Sequence, residues 1–311
     1  MTGSDRRTKS GADLPGASDI PDSSGTPVPP VAPAASLAYL IKLSRPRFWL
    51  YLAGPVLVGA SFGAERLADF LSPTAILTFI YFLLPANILL YGVNDRFDAP
   101  VDAFNPKKDD REARYTGGRL VVGAIVASAI AGLALTLWLP APARSWLVAF
   151  FFLAIGYSAP PLRFKTRPLA DSLSNGLYIL PGIAIYAALA GAHPPWAAIA
   201  AGWLWTMAMH TFSAIPDIEP DRQAGIATTA TWLGRRGSFA YCGACWLAAA
   251  LLFALLSPAL GLLFLVYPAL DLWAARLPEA ELVRAYWWFP AINTFVGMAL
   301  TLAGLLQLSF G

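Results

Sequence analysis

The chain is 311 residues long, 57% hydrophobic and only 13% charged, with a formal net charge of +3. That balance excludes an ordinary soluble domain, in which about a quarter of residues are charged, and it lacks the dense basic patch that nucleic-acid binding requires. Apolar runs of spanning length recur after residue 46, so the composition points to an all-α polytopic membrane protein.

Residues 1 to about 36 differ in kind. They are rich in Pro, Gly, Ser and Asp, carry Arg6, Arg7 and Lys9, and contain no apolar run. A signal peptide needs an apolar centre soon after its basic start, so this segment reads as a disordered cytoplasmic tail without chemistry of its own. Residues 37–311 read as one transmembrane domain. Nine spans are predicted there, at about 47–63, 73–93, 120–139, 144–159, 170–190, 195–213, 239–256, 259–275 and 288–309.

The second span runs into Asn94, Asp95, Asp98 and Asp102. On a helical continuation their spacing of three, four, seven and eight residues puts these side chains on one face, although Pro100 threatens to bend that helix. The fourth span ends at Tyr157-Ser158-Ala159-Pro160-Pro161, and Arg163, Lys165 and Arg167 follow. The double proline stops the helix and presents those cations at the same membrane face. An ordinary basic loop would explain the charges equally well, but not the tyrosine and the prolines.

Asp171 and Asn175 open the fifth span one turn apart, and Asn87 precedes Asn94 by seven residues. Polar groups at these places line a cavity or bond between helices. His210 lies in the sixth span two turns before Asp217. The other histidine, His193, falls at the opposite membrane side, so no histidine metal site is expected and a packed or cavity-lining role is. Asp217, Glu219 and Asp221 then form a second acid cluster, with Pro220 inside it and Arg222 behind it. Cys242 and Cys245 at the head of the seventh span have no second cysteine pair to complete a zinc site and read as small buried thiols. The 11 Trp, 11 Tyr and 18 Phe suit either an apolar acceptor channel or plain helix packing.

Charge distribution orients the whole. Twenty of the 22 Lys and Arg residues fall in alternate connections on one side, leaving only Arg66 and Arg144 on the other. The positive-inside rule therefore places the N-terminus and both acid clusters in the cytoplasm and the C-terminus outside. Two carboxylate clusters at the cytoplasmic mouth of a bundle can hold hard cations such as Mg2+, and those cations can hold a diphosphate. The competing readings are a pair of solvated loops whose acids balance Lys107, Lys108 and Arg111, and a transporter with an acidic ion site. Transporters usually place such sites near the bilayer midplane, which disfavours the second.

These residues carry a resemblance. Asn94, Asp95, Asp98 and Asp102 match the N-D-x-x-D-x-x-x-D motif of the UbiA superfamily of intramembrane prenyltransferases. Asp217 and Asp221, followed by Gly225 and Thr228, match its second motif, and Tyr157 through Lys165 match its tyrosine-to-lysine loop. Arg45-Pro46 is also family-like, and the resemblance extends over about residues 40 to 310. It implies nine helices around a central cavity capped by cytoplasmic loops, with two Mg2+ held by Asn94, Asp95, Asp98, Asp102, Asp217 and Asp221. It further implies an isoprenyl diphosphate clamped by Asn94, Arg45, Lys107, Lys108, Arg111, Arg163, Lys165 and Arg222. Catalytic roles would fall to Asp98, Asp102, Asp217, Asp221, Tyr157 and Lys165.

Matches at Ser44 to Trp49, Asn105 to Lys108 and Ile215 to Asp221 resemble the branch that elongates lycopene in carotenoid synthesis. The Arg-Pro pair that quinone-type members carry after the first acid motif is missing here. The resemblance therefore implies transfer from dimethylallyl diphosphate to lycopene, with a quinone precursor or another lipid as the alternative acceptor.

Overall fold

A computed structural model describes residues 36–102, 115 and 117–310. Residues 1–35 of the expected tail lie outside the described residues, as do Lys107, Lys108 and Arg111. The described chain is helical, without a strand.

Helix α1 (Leu37–Leu43) begins at Ser36, whose side chain accepts from the Tyr39 amide, and a 3-10 turn at Pro46–Phe48 leads into α2 (Trp49–Gly63). There follow α3 (Leu67–Phe70), α4 (Pro73–Leu83), α5 (Pro85–Asp102), α6 (Arg119–Trp138) and α7 (Ala141–Ser158). Short α8 (Ala170–Leu173) and a 3-10 turn (Ser174–Tyr178) precede α9 (Leu180–Ala190) and α10 (Trp196–Ala214). A second 3-10 turn (Ile215–Asp217) enters α11 (Ile218–Gln223), and the chain closes with α12 (Thr229–Leu256), α13 (Pro258–Phe264), α14 (Val266–Ala274) and α15 (Glu279–Phe310).

Helices occupy all nine expected positions, but six stretches among the described residues are long and apolar enough to cross a bilayer outright. The other three are the first, α2, with 15 residues, the sixth, α10, with 19, and the eighth, an apolar helical stretch, Pro258–Ala274, shorter than a full span. Proline and glycine make the interruptions. Pro85 has no amide hydrogen to continue the ladder from α4, and Asn87 compensates: its Nδ2 donates to the carbonyls of Phe82 and Leu83 at 2.9 and 3.0 Å. Asn87 therefore ties the start of α5 to the end of α4 within a single span, instead of bonding to a helix of another span. Gly234, at φ 67° and ψ 174°, kinks α12, and Arg235 and Arg236 follow it, so the apolar run of the seventh span starts only at residue 239.

Outward faces stay apolar. On α6, Leu120, Val126, Ile130, Leu133 and Leu137 are all exposed, as suits a helix whose solvent is lipid and not water. This is a membrane protein.

Inside, the bundle has two packed halves. One joins α2, α4, α5, α7 and α9 around Leu52, Phe82, Phe150 and Leu180, and the other joins α10, α12, α14 and α15 around Trp246, Tyr267 and Phe289. The α2–α9 seam is unusually close. A Cβ on Gly59 would stand 2.7 Å from the Gly182 carbonyl carbon, and one on Gly182 would stand 2.5 Å from the Pro55 oxygen. Small residues let backbones meet where lipid supplies no hydrophobic drive for association. Tyr178 packs against both halves, marking the seam where the cavity opens.

Candidate active site

Helix α5 does not break at Pro100 but runs on through Asp102, so one rigid element carries the whole first acid cluster. Its side chains diverge. Asp95, 1% exposed, turns to Arg45, whose Nη2 donates to its Oδ1 at 2.9 Å. The Arg45 guanidinium also lies 4.5 Å from the centre of the Tyr91 ring, a cation–π contact.

Asn94 and Asp98, one turn apart, face the loop that follows α7 instead. Lys165 Nζ donates to Asn94 Oδ1 at 3.0 Å and pairs with Asp98, while Arg163 Nη2 reaches Asp98 Oδ1 at 3.4 Å. Ser158, the last residue of α7, donates to the same Asn94 oxygen at 2.9 Å. The expected single acidic face thus divides between Arg45 on one side and Lys165 with Arg163 on the other. Asp102 lies in the last turn of α5.

Two of these cations come from strained backbone. Arg45 at φ 52° and Arg163 at φ 41° both occupy the left-handed region, which costs a non-glycine residue on the order of 1 kcal/mol or more. Such strain persists only where surrounding structure enforces it, and here it aims two guanidinium groups at the acids. Arg167 points away and donates to the Pro161 carbonyl.

The second cluster begins one turn beyond Ser213. Asp217 ends a 3-10 turn and Asp221 lies in α11, both half-buried, while Glu219 is exposed and accepts from Gln223. Pro220 sits in the first turn of α11, where a missing amide hydrogen costs nothing. Gly225 takes φ 69°, a turn that a side chain would strain, and the Thr228 hydroxyl caps α12 by accepting from the Thr231 amide. The glycine and threonine of this motif therefore work as turn and cap. Arg222 is exposed and donates to the Thr231 carbonyl, so it braces the same turn and is not directed to the cavity.

Between the clusters lies a cavity of about 260 Å³. Arg45, Tyr91, Asn94, Tyr157 and Lys165 line one side, and Met209, His210, Ser213, Tyr286 and Phe289 line the other. Asp98 stands one turn past the lining residue Asn94, and Asp217 stands one turn past the lining residue Ser213. Both acid clusters therefore rim the same mouth.

A second cavity of about 650 Å³ shares Tyr51 as a common wall with the first. Its lining is overwhelmingly apolar, from Pro55, Val58, Ile183, Phe253, Leu260 and Met298 among others. Asn293 is a polar exception. It accepts from the Tyr267 hydroxyl at 3.0 Å and donates to the Tyr51 hydroxyl at 3.3 Å.

Among the described residues no three Asp, Glu, His or Cys side chains stand close enough to hold a metal ion unaided. Magnesium commonly takes one or two carboxylates and completes its shell with water and substrate phosphates. The oxygens of Asn94, Asp98, Asp217 and Asp221 suit a cation that arrives with a diphosphate. Lys165 meanwhile neutralises Asp98.

The aromatic lining was not legible in the sequence. Tyr51, Tyr91, Tyr178, Tyr286 and Phe289 follow the same helical spacing as packed residues such as Trp246, whose ring lies 5.3 Å from Phe212. Cys242 and Cys245 are buried free thiols, as their spacing suggested.

The family model described as the UbiA prenyltransferase family matches residues 52–305. The chain is 59% identical over 270 residues to a lycopene elongase/hydratase of Halobacterium salinarum, spanning 86% of this chain and 97% of that protein. A lycopene elongase/hydratase of Haloferax volcanii is 56% identical over 275 residues, or 88% of this chain and 91% of the relative. Among solved structures, a UbiA homolog from Archaeoglobus fulgidus bound to DMAPP and Mg2+ superposes with a TM-score of 0.65. At 20% identity, covering 85% of this chain and 99% of that one, it is a likeness of fold.

Proposed function

The chain belongs to the UbiA prenyltransferase family, and we propose that it transfers a prenyl group from dimethylallyl diphosphate to lycopene. The single observation that carries this reading is the pair of cavities that share Tyr51 as a wall: a charged one of about 260 Å³ and a larger, apolar one of about 650 Å³. Such a chamber suits a polyene far better than a quinone precursor, and the elongase/hydratase names of the relatives at 53–59% identity agree.

In this mechanism Mg2+ held by Asn94, Asp98, Asp217 and Asp221 would offset the charge growing on the departing diphosphate, while Asp95 keeps its pairing with Arg45. Lys165 and Arg163 exchange Asp98 for diphosphate oxygens, and Arg45 supplies a third cation from across Tyr91. Lys107, Lys108 and Arg111, which lie outside the described residues, are assigned to the same clamp by sequence alone, while Arg222 keeps its role in the turn.

The allylic C–O bond breaks with its electron pair on oxygen. The resulting allyl cation faces Tyr157, Tyr91 and Tyr178, whose ring faces stabilise positive charge while the apolar walls exclude water. A terminal double bond of the acceptor supplies the pair for the new C–C bond and leaves a tertiary cation. Loss of a proton gives an elongated polyene, and addition of water gives a hydroxylated one. One such addition at each end turns a forty-carbon carotenoid into a fifty-carbon product.

The catalytic domain comprises residues 37–311, and its mouth and N-terminal side face the cytoplasm where the basic residues gather. A transporter reading is weaker, because the acids rim one end of the bundle and not its midplane.

Expression in a lycopene-producing host tests the assignment by mass spectrometry: forty-five- and fifty-carbon carotenoids are expected. An unchanged lycopene pool beside well-expressed protein and ample donor would sink it in favour of another lipid acceptor. With purified protein in detergent, EDTA should stop pyrophosphate release and added Mg2+ should restore it.

Gly297 lines the chamber, and a Cβ there meets no atom within 4 Å. Gly297→Phe should therefore fold and fill the chamber, raising the KM for lycopene about tenfold or more, by the 1–3 kcal/mol that hydrophobic misfit costs. The KM for the donor should move far less. Equal changes in both would show that the chamber does not hold the acceptor.

A further inference from the structure

Quenching the tertiary cation releases one proton whichever product forms, and the mechanism above names no group to receive it. We propose that His210, positioned by Asp171, is that proton acceptor. The proposal rests on the prenyl-transfer reading and deepens it.

His210 lines the donor cavity and meets Tyr157 edge-on, with ring centres 6.0 Å apart and planes at 88°. It precedes Asp217 by seven residues, which places it about 10 Å below the acid rim at 1.5 Å per residue. A diphosphate held at the rim would leave its prenyl carbons at that depth. The cations lining the cavity, Arg45 and Lys165, already pair with Asp95 and Asp98. An imidazole is the lining side-chain type that exchanges protons readily near neutral pH.

Asp171 stands behind it. This carboxylate, 1% exposed, accepts from the Thr229 amide at 2.8 Å and from the Thr229 hydroxyl, at the N-terminal end of α12. Its Oδ2 lies 3.6 Å from His210 Nε2, long for a hydrogen bond but able to tighten once the ring is charged. With Nε2–H facing Asp171, Nδ1 carries the free lone pair. A cation created alone in this apolar wall would be costly, and the fixed carboxylate offsets that cost.

The step balances. In elongation, the C–H pair next to the cationic carbon becomes the new double bond as its proton goes to Nδ1. In hydration, a water oxygen pair forms the C–O bond and the surplus O–H proton goes to Nδ1. The imidazolium then faces Asp171 until product leaves and the proton passes to solvent at the mouth.

The test compares pyrophosphate released with forty-five-carbon carotenoid formed, using purified enzyme, dimethylallyl diphosphate, Mg2+ and lycopene. In His210→Gln, product should fall at least about 100-fold, the usual worth of a general base, while pyrophosphate release falls less than about tenfold. Dimethylallyl alcohol should make up the difference, because the unquenched tertiary cation reverts to lycopene and the allyl cation, which water then captures. Asp171→Asn should shift the same ratio in the same direction by a smaller factor, as befits a positioning residue.

Product and pyrophosphate falling together, or neither falling, would overturn the assignment and leave released diphosphate as the base. His210→Asn is read in the same way if the Gln variant does not give a cooperative melt in detergent. Failure of the lycopene reading looks different: the parent enzyme itself then lengthens no carotenoid, and the proposal falls with it.

Discussion

Asp98→Ala should lower kcat for pyrophosphate release by at least about 10³-fold, the scale of losing one preorganised electrostatic partner in a reaction that develops charge. Asp98 is the acid on which the site converges, because both Lys165 and Arg163 reach its carboxylate. Removing it takes away a metal-suited oxygen donor and also the group that holds two diphosphate-clamping cations in readiness. Folding should survive. Asp98 and Lys165 are 19% and 12% exposed at an open mouth, so the released ammonium can turn to water. The measurement is turnover at saturating donor and Mg2+, beside a melting curve in detergent. Near-normal turnover in a folded variant would contradict the role given to the first acid cluster, and Asp217→Ala puts the same question to the second.

Gly59→Val carries the largest expected effect on stability. The Cβ it adds would press on the Gly182 backbone at carbonyl oxygen, carbonyl carbon and Cα together, and none of these is the tip of a flexible side chain. Helices α2 and α9 would have to separate, taking with them Leu52, Val56, Leu180 and Ala184 of one packed half. A loss above about 3 kcal/mol is expected, at or beyond the upper end of the usual overpacking cost because the atoms met are backbone. Gly54 on the same helix is the control, because a Cβ there meets no atom within 4 Å. Gly54→Ala should melt within a few degrees of the parent, since helix-interior alanine is favoured over glycine by about 0.5–1 kcal/mol. Similar melting curves for both variants would refute the close backbone seam.

The sequence by itself determined the solvent, the helices and the ingredients of the chemistry. Water cannot serve the backbone inside a bilayer, so long apolar runs must be helical, and their positions follow from composition alone. The acids and cations were equally visible, because a charge at the end of an apolar run is conspicuous, and helical spacing put Asn94 and Asp98 on one face. Even the glycine and threonine after the second acid pair could be read as part of a motif, although their work as turn and cap could not.

Pairing across helices was decided by tertiary structure alone. Asp95 shares a helical face with its acidic neighbours on spacing, yet it turns to Arg45, 50 residues earlier in the chain. Asp171 and His210 are 39 residues apart and belong to different spans, and neither residue's own periodicity names the other. Which side chains meet depends on how far and at what angle helices approach, and that is set by backbone contacts such as Gly59 on Gly182. Hydropathy is blind to such contacts, because glycine is read as a minor loss of apolar area and not as permission for two helices to touch.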